Sequence, residues 1–225
     1  IQYYKVNPVN QQKKELALKQ LIHGLSQDEL ARAVKDTGLP AYRASQVWSW
    51  LYTKSVTSWD QMKNLPAAAQ DSMAGKLEIA ALKIVEVSGD SAGTRKILAE
   101  LLDGERIEEV IIPSSSRTTV CVSSQVGCRF NCAFCASGKS GFTRNLSTGE
   151  IVSQVILAAN ECGKKPTHVV FMGIGEPFDN YDNVLKAVRI LNDKDGLNIG
   201  ARRMTISTCG IIPGIRRLAD EGIQV

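Results

Sequence analysis

The sequence predicts an α/β fold in which a partial (β/α) barrel follows a small α+β accessory domain. After Pro113, strand-like and helix-like segments alternate, which is typical of a parallel sheet with helices outside it. Before Pro113, amphipathic helical segments are followed by a run of strand-like segments separated by turn signals. The 225 residues, 44% hydrophobic and 22% charged, suffice to bury one sizeable core and a smaller one.

Residues 1–113 are predicted to form the accessory domain, with helices first and a small antiparallel sheet after them. Helices are expected at 28–34 and 44–52, and strands at 83–87, 96–101 and 109–112. Ser26 is a suitable N-cap for the first helix. The pair Asp103 and Gly104 is a strong hairpin signal between the second and third strands.

Residues 114–225 are predicted to form the barrel section, joined to the first by a short serine stretch. Strands are expected at 119–123, 168–172, 204–207 and from Ile223, and helices at 147–161, 182–191 and 213–220. Ser147 and Glu150 form a capping box at the start of the first of these helices. The alternation fits either a (β/α) barrel or an open doubly wound sheet.

Three segments fall at the carboxyl ends of the predicted parallel strands, where catalytic groups of such sheets lie. They are the cysteine loop (residues 128–135), the glycine loop (residues 173–177) and the serine turn (residues 207–210). Their common edge predicts one functional site.

The cysteine loop has the spacing C-x3-C-x2-C, formed by Cys128, Cys132 and Cys135. Three thiolates on a short loop suit three irons of a 4Fe–4S cluster and leave the fourth iron without a protein ligand. Structural zinc normally requires four closed ligands, and neither a second cysteine pair nor a histidine pair is present to supply the rest. The other cysteines, at positions 121, 162 and 209, are interpreted as buried structural thiols.

Composition indicates the cellular compartment and the class of binding partner. No stretch approaches the length of a membrane span, so no membrane partner is expected. Unpaired cysteines and an oxidisable cluster argue for a reducing cytoplasm. The formal net charge of +4 only weakly favours a polyanionic partner.

The glycine loop, Gly-Ile-Gly-Glu-Pro, allows two interpretations. It is either a tight turn capped by proline, or a loop whose glycines let the backbone approach a ligand while Glu176 accepts hydrogen bonds from it. Ser207 likewise either binds a ligand or forms the turn.

The cysteine loop, with Phe134 before its last cysteine, resembles the signature loop of radical S-adenosylmethionine (SAM) enzymes. The resemblance implies a 4Fe–4S cluster whose open iron binds SAM, and a 5′-deoxyadenosyl radical produced by SAM cleavage. It also implies that Gly175 and Glu176 hold the SAM amino group and that Ser207 serves its carboxylate or ribose.

Four segments together resemble the RlmN/Cfr family of RNA methyltransferases, and the accessory helices around residues 42–52 are similar to its N-terminal module. These segments are 121–128, 141–146, 171–177 and 205–210. The resemblance implies an RNA-binding accessory domain. It further implies methylation of an adenine base carbon, carbon 2 for the RlmN type, in 23S rRNA and tRNA. The implied partners are these RNAs and an electron donor such as flavodoxin or ferredoxin. The protein is expected to be a monomer.

In that family, one SAM methylates a cysteine and a second supplies the radical that activates this methyl group for addition to the base. A carboxylate then removes the ring proton, and Glu108 matches its position. Glu109 is expected on the opposite strand face, so only one of the two reaches the site. Without the resemblance, Glu108 would be read as a solvent-facing strand residue.

The chain departs from the family at its end. It stops at Val225, before the segment that carries the methyl-accepting cysteine, and is therefore expected to be a fragment that is not fully active alone. Three alternatives stay open: Cfr-type methylation of adenine carbon 8, which gives ribosomal antibiotic resistance; a radical SAM enzyme with a non-RNA substrate; and a non-catalytic metal-binding RNA module. Scattered basic side chains either contact RNA phosphates or simply face solvent. They are Arg129, Lys139, Arg144, Lys164, Lys165, Arg202 and Arg203.

Overall fold

The computed structural model of the protein describes residues 19–90, 92–130 and 132–225. Its helices are α1 (Gln27–Lys35), α2 (Tyr42–Thr53), α3 (Ala67–Ala74), α4 (Thr148–Cys162), α5 (Tyr181–Asn192) and α6 (Ile212–Asp220). Its strands are β1 (Gln20–Leu21), β2 (Leu77–Glu78), β3 (Leu82–Gly89), β4 (Arg95–Leu101), β5 (Arg106–Pro113), β6 (Thr118–Cys121), β7 (Gln125–Gly127), β8 (Phe142–Asn145), β9 (His168–Phe171) and β10 (Met204–Ile206). Short 3-10 turns lie at Ile22–Gly24, Trp59–Gln61, Ser137–Ser140, Pro177–Asn180 and Ala201–Arg203.

A mixed sheet of six strands forms the centre, in the order β10-β9-β6-β5-β4-β3. Strands β10, β9 and β6 are parallel, while β5, β4 and β3 continue the sheet in antiparallel fashion. Val110 of β5 lies opposite Cys121 of β6, which in turn lies opposite Val170 of β9. The antiparallel strands, expected as a small separate sheet, are thus half of one continuous open sheet, because β5 pairs directly with β6.

Helices α4 and α5 cover one face of this sheet. Val120 and Val169 point to that face and are fully buried with the apolar side chains of the two helices. On the other face, which we call the uncovered face, residues such as Cys121 and Val170 are only half-buried. This alternation of burial with period two follows from the pleat of the strands.

The first helices pack against the outer helical layer. Helix α1 begins at the N-cap Ser26, whose side chain accepts a hydrogen bond from the Glu29 N–H while the Glu29 carboxylate accepts one from the Ser26 N–H. Trp48 and Tyr52 of α2 are buried, with their ring centroids 4.4 Å apart. They join the same core as α4 and α5.

Most predicted helices and strands are observed with small shifts of their ends, and both predicted N-caps, Ser26 and Ser147, are confirmed. The strand expected from Ile223 is wrong. Ile223 and Val225 alternate as in a strand and pack against the core, but they pair with no strand of the described sheet. Helix α3, the pair β1–β2 and the hairpin β7–β8 were not predicted.

None of the helices in the part of the chain that the structure describes has the length and apolar character needed to cross a bilayer.

Candidate functional site

The cysteine loop connects the two strands of a small hairpin, β7 and β8. Gly127 ends β7 with a φ of +72°, and a Cβ at this position would overlap the carbonyl oxygen of Gly141. That same carbonyl accepts a hydrogen bond of 2.8 Å from the Cys128 N–H. The hairpin therefore fixes where the loop leaves the fold and where it returns.

The three thiols of the loop fit a cluster in their donor chemistry. Burial would raise the pKa of the Cys135 thiol, but the backbone N–H groups of Gly138 and Ser137 outweigh burial and lower it, which favours a thiolate. Burial raises the pKa of Cys128, as do the nearby thiols of Cys135 and Cys132, so the three groups repel one another as anions. A bound cation removes that repulsion.

Among the described residues, no three His, Cys, Asp or Glu side chains converge on one point, as ligands of a single ion would. The thiolates of a 4Fe–4S cluster each bind a different iron and therefore stand apart from one another. The donor set, three thiols on one short loop, fits a cluster of this type.

The glycine loop leaves the carboxyl end of β9 and approaches the hairpin closely. Gly175 has a φ of +106°, and a Cβ there would lie 2.6 Å from the Cβ of Gln125. Glu176 follows and is only 4% exposed, but its carboxylate accepts hydrogen bonds from backbone N–H groups. Oε1 accepts from the Phe178 N–H at 3.0 Å and Oε2 from the Cys209 N–H at 2.7 Å.

The serine turn follows β10 and lies beside both loops. The Ser207 N–H donates to the Phe171 carbonyl at 3.4 Å, and the Ser207 side chain is exposed. Cys209 is also exposed, so its interpretation as a buried structural thiol is wrong. Local desolvation, a hydrogen bond to the Glu176 carboxylate and the charges of Glu176 and Cys132 raise the pKa of Cys209 to about 11. The cysteine loop, the glycine loop and the serine turn therefore meet at the carboxyl end of the parallel strands.

Glu108 and Glu109 occupy opposite faces of β5. Glu108 is half-buried on the uncovered face, where its carboxylate pairs with the Lys96 ammonium at 2.8 Å. Its backbone carbonyl accepts a hydrogen bond of 2.6 Å from the Ser123 hydroxyl, and that hydroxyl also accepts from the Ile174 N–H at 2.9 Å. The Ser123 hydroxyl therefore links the Glu108 backbone to the glycine loop.

Cys121 and Cys162 are half-buried, not fully buried as expected. Cys121 shares the uncovered face with Glu108, because Val110, two residues after Glu108, is its partner across the ladder. Desolvation raises the pKa of the Cys121 thiol, and the charge of Glu109 adds to that shift.

Three buried polar residues of the site were missed from the sequence: Ser123, Gln125 and Asn180. The Asn180 amide donates to the carbonyls of Ser124 and Leu146 at 2.8 and 2.7 Å. These contacts join the segment after β6, the end of β8 and the segment after the glycine loop. Ser123 and Gln125 belong to a polar run at the end of the predicted strand 119–123, which was their signal in the sequence.

Two family models match the chain. Residues 122–225 match the model described as Radical SAM superfamily, and residues 21–79 match that of the Ribosomal RNA large subunit methyltransferase N-terminal domain. The chain is similar to a crystal structure of a radical SAM methyltransferase from Sphaerobacter thermophilus, with a TM-score of 0.88 and 43% identity. The match covers 92% of this chain and 62% of that one.

Curated relatives extend the similarity. A probable dual-specificity RNA methyltransferase RlmN of Symbiobacterium thermophilum is 46% identical over 210 residues, which are 92% of this chain and 57% of the relative. The protein of the same name from Thermotoga neapolitana is 48% identical over 202 residues, 89% of this chain and 59% of the relative. The chain thus spans less than two thirds of the length of these relatives.

The fold and the site define a radical SAM protein, which confirms the predicted fold class. Within that superfamily the chain belongs to the RlmN family, as the match of residues 21–79 and the curated relatives show. Membership implies a 4Fe–4S cluster and SAM as cofactors, and the family is one of enzymes.

Proposed function

We propose that this protein is a radical SAM methyltransferase that methylates carbon 2 of an adenine base in 23S rRNA and in tRNA, through a methyl-cysteine intermediate. The observation that supports it most is the convergence of the cysteine loop, the Glu176 carboxylate and the serine turn at one end of the sheet. An open iron, a carboxylate for an ammonium group and polar turn atoms are what cluster-bound SAM requires.

Cys128, Cys132 and Cys135 hold the cluster in this proposal, and Gly175, Glu176 and Ser207 bind SAM. When bound, the cluster and SAM together supply a 5′-deoxyadenosyl radical. Each oxygen of the Glu176 carboxylate already accepts one backbone N–H, which orients it and leaves the remaining lone pairs for an incoming ammonium. Gly175 lets the glycine loop pack closely against the hairpin, since a side chain there would meet Gln125.

Glu108 is the proposed base that removes the ring proton of the methylated adenine. It lies on the uncovered face, which it shares with Cys121, and its carboxylate forms an ion pair of 2.8 Å with the Lys96 ammonium. Glu109 is unsuited to this role, because it is 1% exposed on the face that the helices cover.

The substrates and the setting belong to the same proposal. The accessory module, matched to an rRNA methyltransferase N-terminal domain, supports RNA as the substrate class. We place the protein in the cytoplasm as a monomer, with a flavodoxin or ferredoxin as its reductant. A reducing compartment keeps the cluster and the thiols intact.

The test uses the intact protein, reconstituted anaerobically and supplied with SAM, a reductant and either 23S rRNA or tRNA. Mass spectrometry of the digested RNA should find 2-methyladenosine. Glu108→Ala should consume SAM and attack RNA, but should accumulate a covalent protein–RNA adduct on denaturing gels because the ring proton no longer leaves efficiently.

Glu86→Ala is the matched control, since Glu86 is an exposed glutamate on the edge strand β3 and should behave as wild type. 8-Methyladenosine would assign the Cfr-type reaction instead. SAM cleavage with no RNA modification would contradict an RNA substrate, and normal turnover without adduct in Glu108→Ala would make Glu108 an ordinary strand residue.

A further inference from the structure

We propose that Asp179 is a positioning residue that ties the cysteine loop to the glycine loop and thereby fixes the Glu176 carboxylate relative to the cluster thiols. The inference rests on the proposed SAM site. Asp179 lies in the 3-10 turn Pro177–Asn180, directly after the glycine loop, and its own N–H donates to the Glu176 carbonyl at 3.1 Å.

A single oxygen of Asp179 receives donors from two different segments. Oδ2 accepts from the Arg129 Nε at 2.8 Å and from the Gln125 Nε2 at 2.7 Å. Arg129 directly follows the cluster ligand Cys128, and its guanidinium lies 4.0 Å above the Phe142 ring of β8. The carboxylate thus joins the start of the cysteine loop to the core of the β7–β8 hairpin.

The link continues from Gln125 to Glu176. The Gln125 side chain is fully buried, and its Oε1 accepts from the Glu176 N–H at 2.9 Å. Its Nε2 has two acceptors, Asp179 Oδ2 and Asn145 Oδ1 at 2.8 Å. Because both acceptors lie on the amino side, the amide has one satisfied orientation, in which its oxygen faces the Glu176 N–H.

Asp179 contributes orientation more than stability. Its ion pair with Arg129 is partly exposed, with the arginine side chain 52% and the aspartate side chain 22% accessible, and such pairs stabilise folded proteins little. Replacing the carboxylate by an amide removes the charge that holds Arg129 and leaves one neutral, weaker acceptor oxygen for the Gln125 and Arg129 donors. The chain from Arg129 to Glu176 is then free to shift at both steps.

The experiment measures SAM binding by calorimetry and by electron paramagnetic resonance on the intact, cluster-loaded protein. Asp179→Asn should weaken SAM binding about tenfold or more, the range seen when groups that orient site ligands are changed. It should also alter the change that SAM produces in the spectrum of the reduced cluster, while iron and sulfide content stay at the wild-type level.

Asp182→Asn is the matched control. Asp182 also pairs with an arginine, Arg217, at 2.7 Å, but it lies on α5 with its side chain 80% exposed. Its replacement should leave the SAM affinity and the spectrum unchanged. A loss of affinity equal to that of Asp179→Asn would show a general charge effect and would overturn the inference.

Arg129→Gln breaks the same link at its half-exposed end, the arginine. This variant tests the inference if Asp179→Asn does not hold its cluster. It should weaken SAM binding as Asp179→Asn does, and the double variant should lose little more, since both changes break one chain of contacts. Wild-type SAM affinity and spectrum in the variants would overturn the role of Asp179 alone. A wild-type protein that holds a cluster but does not bind SAM would overturn the proposed function first.

Discussion

Glu109 differs from its neighbour Glu108 in that both oxygens of its carboxyl group are buried without a hydrogen-bond partner. Desolvation, with a smaller effect from the charge of Glu161, raises the pKa of Glu109 well above its ordinary value. An unpaired buried carboxylate is very costly, so the group is kept neutral in the folded protein. It lies on the helix-covered face, opposite Ile97 of β4.

The pH dependence of stability follows from this raised pKa. Above pH 4.5, the ordinary value, Glu109 ionises in the unfolded chain but stays protonated in the fold. Its contribution to stability is therefore complete below pH 4.5 and is lost as pH rises towards the folded-state pKa. Glu161 of α4 and the Cys121 thiol of β6 are ionisable groups near it.

We expect Glu109→Gln to gain stability relative to wild type as the pH rises from 5 to 8, because glutamine does not titrate. Urea unfolding of both proteins across this range measures the difference in the free energy of unfolding. Glu86→Gln, at an exposed position, should show no such trend. A difference between Glu109→Gln and wild type that is constant with pH would show that Glu109 is already ionised in the fold.

The alternation of Glu108 and Glu109 was predictable from the sequence, but the burial of Glu109 was not. Strand geometry alone places the two carboxylates on opposite faces. Which face the helices cover depends on the packing of α4 against the sheet. Glu161, the residue of α4 whose charge acts on Glu109, lies over fifty residues further along the chain.

The hairpin β7–β8 is the element on which the site depends most directly, and Gly127 is its critical residue. Its left-handed backbone costs an ordinary residue about 1–2 kcal/mol. A side chain would also displace the Gly141 carbonyl, which accepts the Cys128 N–H. A substitution here therefore changes both stability and loop geometry.

Gly127→Ala should lower the thermal midpoint and reduce the iron bound after reconstitution. Gly163→Ala is the matched control, because Gly163 has a φ of +63° at the end of α4 but nothing within 4 Å of an added Cβ. It should lower stability by about 1 kcal/mol and bind iron normally. Equal iron content in the two variants would mean that the hairpin does not set the cysteine loop.

Elements defined by local signals were predicted well, and those defined by distant pairing were not. The capping box of Ser147 and Glu150 is confirmed because its contacts lie within four residues. The hairpin was missed because the cysteine loop separates its strands and no tight turn marks it. Ile223 satisfied the strand pattern but pairs with no strand of the described sheet.

At the scale of the whole molecule, the continuous sheet joins the two predicted domains. The matched regions 21–79 and 122–225 lie on either side of residue 113, while β3, β4 and β5 extend the parallel strands between them. We retain the division at residue 113 as a proposal; residues 1–18 of the first part lie outside the described residues.

Docking of the accessory helices onto α4 involves a close backbone approach and a buried histidine. Gly24 and Gly149 approach so closely that a Cβ on Gly24 would lie 2.9 Å from the Gly149 nitrogen. His23, 2% exposed, lies with Nδ1 3.1 Å from the Ser153 hydroxyl, and desolvation lowers its pKa to about 4. The interface therefore contains a neutral imidazole, and the accessory helices are part of the core that supports the site. The sequence did not indicate this contact, because His23 and Ser153 lie far apart along the chain.

The proposed function depends on the identity of the metal centre at Cys128, Cys132 and Cys135. Anaerobic reconstitution of the intact protein, followed by iron and sulfide analysis and Mössbauer spectroscopy, measures it directly. We expect one 4Fe–4S cluster per chain, a spectrum that changes on addition of SAM, and loss of the cluster when any one of the three cysteines is replaced by alanine. Cys209→Ala, at a nearby exposed thiol, should keep it. A stoichiometric zinc ion without iron or sulfide would contradict the proposed function.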